Sequence, residues 1–403
     1  MRIVFLLSQD LECPSGLGRY WPLAKELRKL GREVTILALH SNYGSLRKQE
    51  KEFIREGVRI RYVGQMHVRK IGNRKLYYGP VRLLSVVLLA TIRLTCAALG
   101  TAGDAYHVGK PHPMNGVAGL IASKLRRKPL YVDYDDYEAA SNRVDMAWQN
   151  RVIAFFEDRL PDAAAAISVN TLFIRERLIK AGYPSERLFH VPNGVDRERF
   201  SSINQSSADL LRRQLGLRDS EVILYLGSLS LGTHSVDLLL EAVPIVQQAR
   251  PKAVLLIVGR GEDYDTLRQR ARAMNLQEAI RFVGWISPAN VVPYYLLADV
   301  SVDPVRDNQA QRARSPLKIV ESLVVGTPVV TGDVGDRSMY LESSLDSALV
   351  TAGDPAALAA GIVSVLKRRD ATPSKPQSRA ESPIGYFWDN LVHDFVRVYD
   401  QSQ

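Results

Sequence analysis

The sequence predicts an α/β protein made of two doubly wound domains with parallel sheets. Short apolar runs rich in β-branched residues alternate with segments of helical periodicity along most of the 403 residues. These runs form two series of similar size that meet near residue 195. Strand–helix–strand repetition gives parallel sheets that are covered by helices on both faces. A chain of this length is also long enough for two domains, each with its own core.

The first series begins with the apolar run RIVFLL at residues 2–7, which is followed by a helical pattern over 18–30. The further predicted strands are 33–39, 58–63, 104–109, 129–134 and 164–169, and further helical patterns cover 116–125 and 144–160.

The second series follows the turn-forming sequence VPNGVD at residues 191–196. Its predicted strands are 221–227, 253–259, 280–284, 299–304 and 328–332, with helices over 235–248 and 263–274. We therefore predict an N-terminal domain over 1–195, a C-terminal domain over 196–384, and a last helix within 385–403. Open α/β sheets bind ligands at the carboxyl ends of their strands, so a site is expected in a cleft between these two edges.

Composition and cysteine content are those of an ordinary globular protein, with 46% hydrophobic and 24% charged residues. The N-terminal MRIVFLLSQD reads as a first strand rather than a signal peptide. Cys13 and Cys96 form neither a disulfide framework nor a metal-ligand pattern. A reducing, cytoplasmic location is therefore expected.

The net charge of +10 is unevenly distributed, because residues 1–100 hold 18 Lys/Arg against 7 Asp/Glu. Such asymmetry suggests an anionic partner, such as a membrane face, a phosphorylated lipid or a nucleic acid. A solvated surface that keeps the protein soluble is the alternative. The apolar segment 83–92, between Arg82 and Arg93, is shorter than the ~20 residues that span a bilayer. We expect a buried helix there, with an interfacial helix beside the basic surface as the alternative.

The loop PSGLGRY at residues 14–20 follows the first strand and opens the first helix. Gly16 and Gly18 would let backbone N–H groups approach an anion at the helix N-terminus, and Arg19 beside them favours ligand contact. A tight strand-to-helix turn is the alternative. The third glycine of GxGxxG is missing and no acid ends the second strand, so a dehydrogenase is disfavoured.

Cations and one acid mark the stretch RARSPLKIVES. Arg312, Arg314 and Lys318 precede or enter a predicted helix, where they could bind a diphosphate. Glu321 lies among apolar residues of that helix and needs polar partners. Two ribose hydroxyls would serve, and so would a structural ion pair.

Together these stretches resemble the family 4 glycosyltransferases, the large GT-B group of retaining nucleotide-sugar enzymes. The resemblance covers nearly the whole chain, through VPNGVD, VGRGED, FVGWI, LLADVSVDP and ESLVVGTPVV. It implies two Rossmann-like domains facing across a cleft, with the acceptor in the first and the nucleotide-sugar donor in the second. It also implies a C-terminal helix that crosses back to the first domain, and no cofactor or catalytic metal.

Carried over residue by residue, the resemblance is incomplete at the donor site. Ser228 stands where the family usually has a phosphate-binding Arg, and His234 is the best match to its Lys. Of the usual pair of glutamates the first falls on Ala313, while Glu321 matches the second, which binds the ribose. A PLK-type branch shares this pattern, and Arg314 and Lys318 become the candidate replacements for phosphate binding with His234.

At the other candidate positions the resemblance implies substitutes or neighbours. The family's histidine after the fourth strand would fall near Gly109, which leaves Lys110 and His112 as catalytic candidates. Asp133-Tyr134-Asp135 spells the DxD motif that holds a divalent metal in GT-A enzymes, but it lies in the acceptor domain. We expect instead that Asp135 and Asp136 line the acceptor cleft or pair with the basic first domain, without a metal.

The resemblance implies a retaining glycosyltransferase that moves a sugar from a nucleoside diphosphate sugar to a hydroxyl. The basic N-terminal domain favours a lipid-linked or membrane-proximal glycan as acceptor, and a cytoplasmic protein peripheral on the inner membrane face, rather than a nucleic-acid partner. The alternatives are a GT-B nucleotide-sugar 2-epimerase, which consumes no acceptor, and a non-catalytic protein that binds nucleotide sugars.

Overall fold

The computed structural model describes residues 1–71, 74–141, 147–201, 204–342, 344–371 and 385–400. The chain divides into two compact units. The first consists of Met1–Gly194, Ala313–Ser315 and Trp388–Gln403, and the second of Val195–Arg312 and Pro316–Phe387.

The first unit is built on an eight-stranded sheet in the order β10-β9-β8-β7-β1-β2-β4-β3. The strands of this unit are β1 Arg2–Leu7, β2 Glu33–His40, β3 Glu52–Arg55, β4 Val58–Gln65, β5 Val68–Ile71, β6 Arg74–Tyr77, β7 Ala105–Gly109, β8 Leu130–Tyr134, β9 Ala166–Val169 and β10 Leu188–His190. Its helices up to this point of the chain are α1 Trp21–Lys29, α2 Lys48–Lys51, α3 Pro80–Leu99, α4 Pro113–Arg126, α5 Glu138–Ser141, α6 Ala147–Arg159 and α7 Leu172–Lys180. Neighbouring strands of the sheet are parallel except at its end, where β3 and β4 are antiparallel. The hairpin of β5 and β6 is separate.

The second unit carries a six-stranded parallel sheet in the order β13-β12-β11-β14-β15-β16. Its helices are α8 Arg197–Ser201, α9 Gln205–Gln214, α10 Asp237–Ala249, α11 Tyr264–Ala273, α12 Val292–Leu297, α13 Gln309–Arg312, α14 Leu317–Val324, α15 Arg337–Leu341 and α16 Pro355–Ala371. Its strands are β11 Glu221–Leu226, β12 Ala253–Val258, β13 Ile280–Gly284, β14 Val300–Asp303, β15 Val329–Gly332 and β16 Ala348–Val350.

Each sheet has a hydrophobic core on both faces, as expected of doubly wound folds. In the first unit, alternate residues of the buried strand β1 belong to two different core clusters, since side chains alternate across a strand. The second unit has the same arrangement around β11. This is the predicted α/β class, with a Rossmann-like domain in each unit.

The last helix, α17 Trp388–Asp400, is part of the first unit. Its apolar residues Trp388, Leu391 and Phe395 pack with α1 and β1 in one core cluster. The Trp388 indole N–H also donates a hydrogen bond to the Gly18 carbonyl, 3.0 Å away.

The prediction of a buried helix at residues 83–92 is wrong. The segment lies within α3, which has 20 residues, and only 17% of its most apolar window is buried. Among the described residues, α3 is the one helix that is long and apolar enough to cross a membrane. Its inner side chains Ala90, Leu94 and Ala98 nevertheless belong to the core of the first unit.

Candidate active site

A lysine and three carboxylates cluster at the carboxyl ends of β7 and β8. Lys110 Nζ lies 2.8 Å from Asp136 Oδ2, 2.8 Å from Glu138 Oε1 and 3.7 Å from Asp135 Oδ2. Burial disfavours the charged form of Lys110, but the three carboxylates outweigh burial and raise its pKa well above the ordinary value. The predicted catalytic Lys110 and the predicted acceptor residues Asp135 and Asp136 are therefore one ionic cluster.

The backbone around Lys110 is held in an unusual conformation. Its φ of +56° lies in the left-handed region, which side chains with a Cβ rarely adopt. Asn115, in the first turn of α4, donates from its side-chain amide to the carbonyls of Leu6, Gly109 and Lys110, at 3.0, 2.7 and 3.0 Å. Asn115 thus fixes the ends of β1 and β7. Asn115 was not among the predicted site residues, although a polar residue inside an apolar helix is a usable signal.

His112 joins the same cluster through Glu138. His112 Nε2 lies 3.3 Å from Glu138 Oε2. Burial raises the pKa of Glu138, but the charge of Lys110 and the hydrogen bond from His112 have the larger effect. The pKa of Glu138 therefore lies well below its ordinary value. Glu138 therefore stays ionised and holds both predicted catalytic side chains.

A further acidic side chain, Glu157 on α6, positions the backbone that carries Glu138. The N–H groups of Glu138 and Ala139 donate to Glu157 Oε1 and Oε2, at 2.7 and 2.9 Å. Burial raises the pKa of Glu157 to about 8. No pattern in the sequence marked this residue, because its partners are backbone groups 18 and 19 positions away.

Asp135 and Asp136 also have partners beyond Lys110. Asp135 Oδ1 accepts a hydrogen bond of 3.1 Å from the side-chain amide of Asn193. Arg314 Nε lies 3.9 Å from Asp136 Oδ1, and the segment Ala313–Ser315 belongs to the first unit. Arg314 is thus placed beside the acidic cluster, and its binding of a donor phosphate stays a prediction.

The structure corrects the assignment of Arg19 as a ligand contact. Arg19 is fully buried, and its Nε and Nη2 donate to Asp133 Oδ2 and Oδ1, at 2.8 and 2.6 Å. Its Nη1 donates to the Val191 carbonyl and to Asn193 Oδ1. All three guanidinium nitrogens therefore have partners within the protein, and Arg19 ties the first helix to the centre of the sheet.

The hydrogen-bond acceptor positions of Asp133 are occupied within the same network. Its carboxylate also accepts from Tyr20 OH at 3.0 Å and Ser168 Oγ at 2.6 Å. Because two hydrogen bonds reach each oxygen, Asp133 has no open position for a metal, which argues against a DxD site with Asp135.

The glycine turn serves close packing at Gly16. A Cβ at Gly16 would lie 2.4 Å from the Asp10 carbonyl oxygen and 2.6 Å from the Leu11 Cα, so this position excludes a side chain. This contact supports the tight-turn alternative. The Gly18 carbonyl accepts the hydrogen bond from the Trp388 indole N–H described above.

In the second unit, Lys318 lies at the carboxyl end of the sheet. Lys318 Nζ lies 3.0 Å from Asp303 Oδ1, at the end of β14, and Arg337 Nε lies 2.8 Å from Asp303 Oδ2. The two cations outweigh burial and hold the pKa of Asp303 well below its usual range. Arg337 was not predicted, and it is almost fully buried.

Glycine loops adjoin this lysine. A Cβ on Gly227, which follows β11, would lie 3.2 Å from Lys318 Cε. Gly259, which follows β12, has a φ of +139°, and a Cβ there would lie 1.9 Å from the Gly227 carbonyl oxygen. The two loops are thus packed backbone to backbone, with an ammonium group beside them. Such a place suits an anion.

Glu321 has protein partners on both oxygens. Tyr295 OH donates to Oε2 at 2.7 Å, and Arg199 Nη2 pairs with Oε1. The structural ion pair that the sequence left open is therefore present. A carboxylate offers about four acceptor positions, so two remain for ribose hydroxyls. The ribose role of Glu321 stays a prediction.

Two further predicted phosphate ligands, His234 and Arg312, contact neighbouring side chains. His234 Nδ1 lies 3.0 Å from Thr233 Oγ1, in the half-buried loop before α10. Arg312 pairs at the surface with Asp307. Binding of a phosphate by His234 stays a prediction.

Two family models match the chain and together span most of it. A glycosyl transferase 4-like domain matches residues 15–194, and the glycosyl transferases group 1 model matches residues 220–368. Two Rossmann-like domains that match these two models make the chain a glycosyltransferase of the GT-B fold. The chain belongs to the family 4 type of these proteins.

Known relatives agree with this membership. The chain is 30% identical to the phosphatidyl-myo-inositol mannosyltransferase of Mycobacterium leprae over 52% of each chain. It is 27% identical to the GDP-mannose-dependent alpha-(1-6)-phosphatidylinositol monomannoside mannosyltransferase of Mycobacterium tuberculosis, over 61% of this chain and 65% of the relative. These matches thus span only about half to two thirds of the relatives. The phosphatidyl-myo-inositol mannosyltransferase of Mycobacterium tuberculosis is matched at 25% identity over 99% of this chain and 97% of its own length.

Solved structures share the fold. Sucrose-phosphate synthase from Thermosynechococcus elongatus superposes with a TM-score of 0.75 at 17% identity, covering 99% of this chain and 98% of that one. Anabaena HepE in complex with UDP and glucose gives 0.73 at 18% identity, with both chains fully covered. At such identities the likeness shows the fold alone.

Proposed function

We propose that the chain is a retaining transferase that moves a hexosyl group from a nucleoside diphosphate sugar to a hydroxyl of a lipid-linked acceptor. Mannose from GDP-mannose and an inositol-bearing phospholipid are the first candidates, since the names of two relatives state that chemistry. The observation that carries the proposal is Lys318, held by Asp303 beside the glycine loop at the carboxyl end of β11.

In the donor site, negative charge builds on the leaving diphosphate as the glycosidic bond breaks. The Lys318 ammonium and backbone N–H groups of the loop after Gly227 would stabilise that charge. Asp303 holds the Lys318 ammonium group in place through one carboxylate oxygen. Because Arg337 pairs with the other oxygen, two positive charges share the single negative charge of Asp303, and a net positive charge remains for the diphosphate. Glu321 would accept hydrogen bonds from the ribose through its two remaining positions.

In the first unit, the cluster of Lys110 and its three carboxylates would recognise the hydroxyl-rich acceptor. Asp135 and Asp136 are acceptors for sugar or inositol hydroxyls, and Lys110 and His112 are donors. In this proposal the leaving phosphate takes the proton of the attacking hydroxyl on the same face, which gives retention of configuration.

The proposed reaction uses no catalytic metal. The support is that Asp133 of the DxD sequence is saturated by protein donors. Among the described residues, Asp10, Glu12 and His40 offer ligand atoms within 4.8 Å of one another, but Lys70 Nζ, 3.6 Å from Asp10, already places a positive charge there. Transfer should therefore persist in EDTA, and loss of activity restored by Mg²⁺ or Mn²⁺ would refute this part.

A location on the inner membrane face accompanies the proposal. The support is the concentration of positive charge in residues 1–100, because anionic lipids attract basic surfaces. The relatives named after phosphatidylinositol compounds point the same way.

A screen of donors tests the function first. Melting temperature is measured with uridine, guanosine and adenosine diphosphate sugars, and one series should raise it, because a ligand that binds only the folded state stabilises it. The best donor is then incubated without an acceptor. Formation of its C2 epimer would refute transfer in favour of an epimerase, and failure of every nucleotide sugar to raise the melting temperature would refute donor binding.

A further inference from the structure

The helix α3 carries large apolar side chains on its outer surface. Val81, Leu84, Leu88, Leu89 and Ile92 are between 48% and 85% exposed. Apart from the neighbours Leu88 and Leu89, they are spaced by three or four residues, which places all five on one side of the helix, and we name them the α3 stripe.

The opposite side of α3 is apolar too, since Ala90, Leu94 and Ala98 pack into the core of the first unit. A surface helix in water normally turns polar residues outward. A row of exposed apolar side chains therefore indicates a surface that is covered by something other than water.

The sequence segment that contains α3 carries an excess of positive charge. Residues 57–103 contain no aspartate or glutamate, and their eight cations are Arg59, Arg61, Arg69, Lys70, Arg74, Lys75, Arg82 and Arg93. Arg82 and Arg93 lie in α3 itself and are exposed. On a helical projection both fall along one edge of the α3 stripe.

We propose that the α3 stripe inserts into an anionic lipid leaflet, with the helix lying in the plane of the membrane. An apolar face edged by arginines is the pattern of an interfacial helix, whose binding combines apolar burial with attraction to anionic headgroups. The inference deepens the proposed function by naming the surface that meets the lipid, and it rests on that function only for the acceptor being a lipid.

The positive charge of this segment favours an anionic membrane over a second copy of the chain as the partner of the α3 stripe. A symmetric dimer through α3 would bring one acid-free, positive segment against another, and like charges repel. An anionic leaflet neutralises the same charges. The packing of Ala90, Leu94 and Ala98 also argues against a bilayer-spanning α3, because crossing would withdraw these residues from the core.

The native cysteines allow a direct readout. Cys96 is exposed on α3, and Cys13 is buried. An environment-sensitive fluorophore on Cys96 should shift to the blue with vesicles that contain phosphatidylcholine and about one third phosphatidylglycerol. It should not shift with phosphatidylcholine alone, and raising the salt from about 0.05 M to about 0.5 M should weaken the response. No shift on the anionic vesicles at low salt would overturn the proposal.

Variants assign the binding to the stripe. Replacing Leu88 and Ile92 together by aspartate should reduce the fraction that sediments with anionic vesicles by about tenfold or more. The matched control is Leu210→Asp in α9 of the second unit, which removes a leucine that is 55% exposed and should bind like the parent chain. Both variants are exposed substitutions, and circular dichroism with the donor-induced melting shift checks that they fold. Equal binding of the stripe variant and the parent would overturn the proposal.

Sedimentation velocity without lipid tests whether a second copy of the chain binds the α3 stripe. The parent should be monomeric at α3, and a dimer that the stripe variant abolishes would assign the surface to a second copy instead. Vesicle binding is measured without donor or acceptor, and transfer is measured to a detergent-dispersed acceptor. A parent chain that transfers the sugar but does not bind anionic vesicles therefore rejects the docking surface alone, while a parent chain that binds vesicles but transfers no sugar rejects the proposed function alone.

Discussion

Replacing Lys318 by alanine removes the ammonium group that we place at the donor diphosphate. A hydrogen bond to a charged group contributes about 1.5–3 kcal/mol, which corresponds to roughly a 10- to 150-fold loss of kcat/KM. The loss should fall more on kcat than on KM, since charge on the leaving phosphate is greater in the transition state than in the bound donor.

The structure also sets the expected effect on stability. Asp303 loses one partner, but Arg337 Nε remains 2.8 Å from Oδ2 and Thr331 Oγ1 still donates to this oxygen at 3.2 Å. We therefore expect the free energy of unfolding to fall by only about 1–2 kcal/mol. The folded fraction at the assay temperature should be unchanged.

The assay is the initial rate of sugar transfer as a function of donor concentration, with the melting temperature of each variant measured alongside. Lys252→Ala is the matched control, because Lys252 is exposed at the amino end of β12, the opposite edge of the same sheet. A Lys318→Ala enzyme with kcat and KM equal to those of the control would refute the placement of the diphosphate.

Three other predictions follow from named contacts. Glu321→Ala should weaken donor binding by about tenfold and leave acceptor KM unchanged, and equal donor affinities for variant and parent would assign Glu321 to the Arg199 pair alone. Asp133→Asn should lower the free energy of unfolding by about 3–5 kcal/mol in urea titrations, since it leaves the buried Arg19 charge without its partner, whereas Asp104→Asn at the exposed pair with Arg2 should have little effect. The carboxyl group of Glu157 keeps its proton in the folded chain up to its pKa of about 8, but in the unfolded chain it loses the proton near the ordinary value of 4.5. The free energy of unfolding should therefore fall as the pH rises from 4.5 to 8, by at most about 5 kcal/mol, and should stay level at higher pH. Urea titrations at both ends of that window should show the decline in the parent and a smaller one in Glu157→Gln, and parallel profiles would contradict the assignment.

Much of the fold could be predicted because the central strands are buried on both faces. Such strands are continuous apolar runs, and the predicted run at residues 2–7 coincides with β1. The hairpin of β5 and β6 was not predicted, because its sequence VRKIGNRKLY is rich in cations and does not alternate between apolar and polar residues. The exposure of α3 was not predicted either, because its sequence is predominantly apolar. An apolar helix has the sequence pattern of a core helix whether a protein or a membrane covers it.

The candidate site was predicted in its residue types more than in its contacts. Lys110, His112, Asp135 and Asp136 were predicted, but Glu138, which contacts both Lys110 and His112, was not. Long-range partners of this kind carry no sequence periodicity. Arg19 was misassigned because a glycine-flanked arginine looks alike in sequence whether it faces a phosphate or a buried aspartate such as Asp133.

The most direct test of the central claim is transfer itself. The protein is incubated with GDP-mannose labelled in the sugar and with phosphatidylinositol in detergent, and the label that enters the organic phase is counted. Label on the lipid in α-configuration, reduced strongly in Lys318→Ala, is the predicted result. Label that never reaches the lipid, with this donor or with any that raises the melting temperature, would contradict the account.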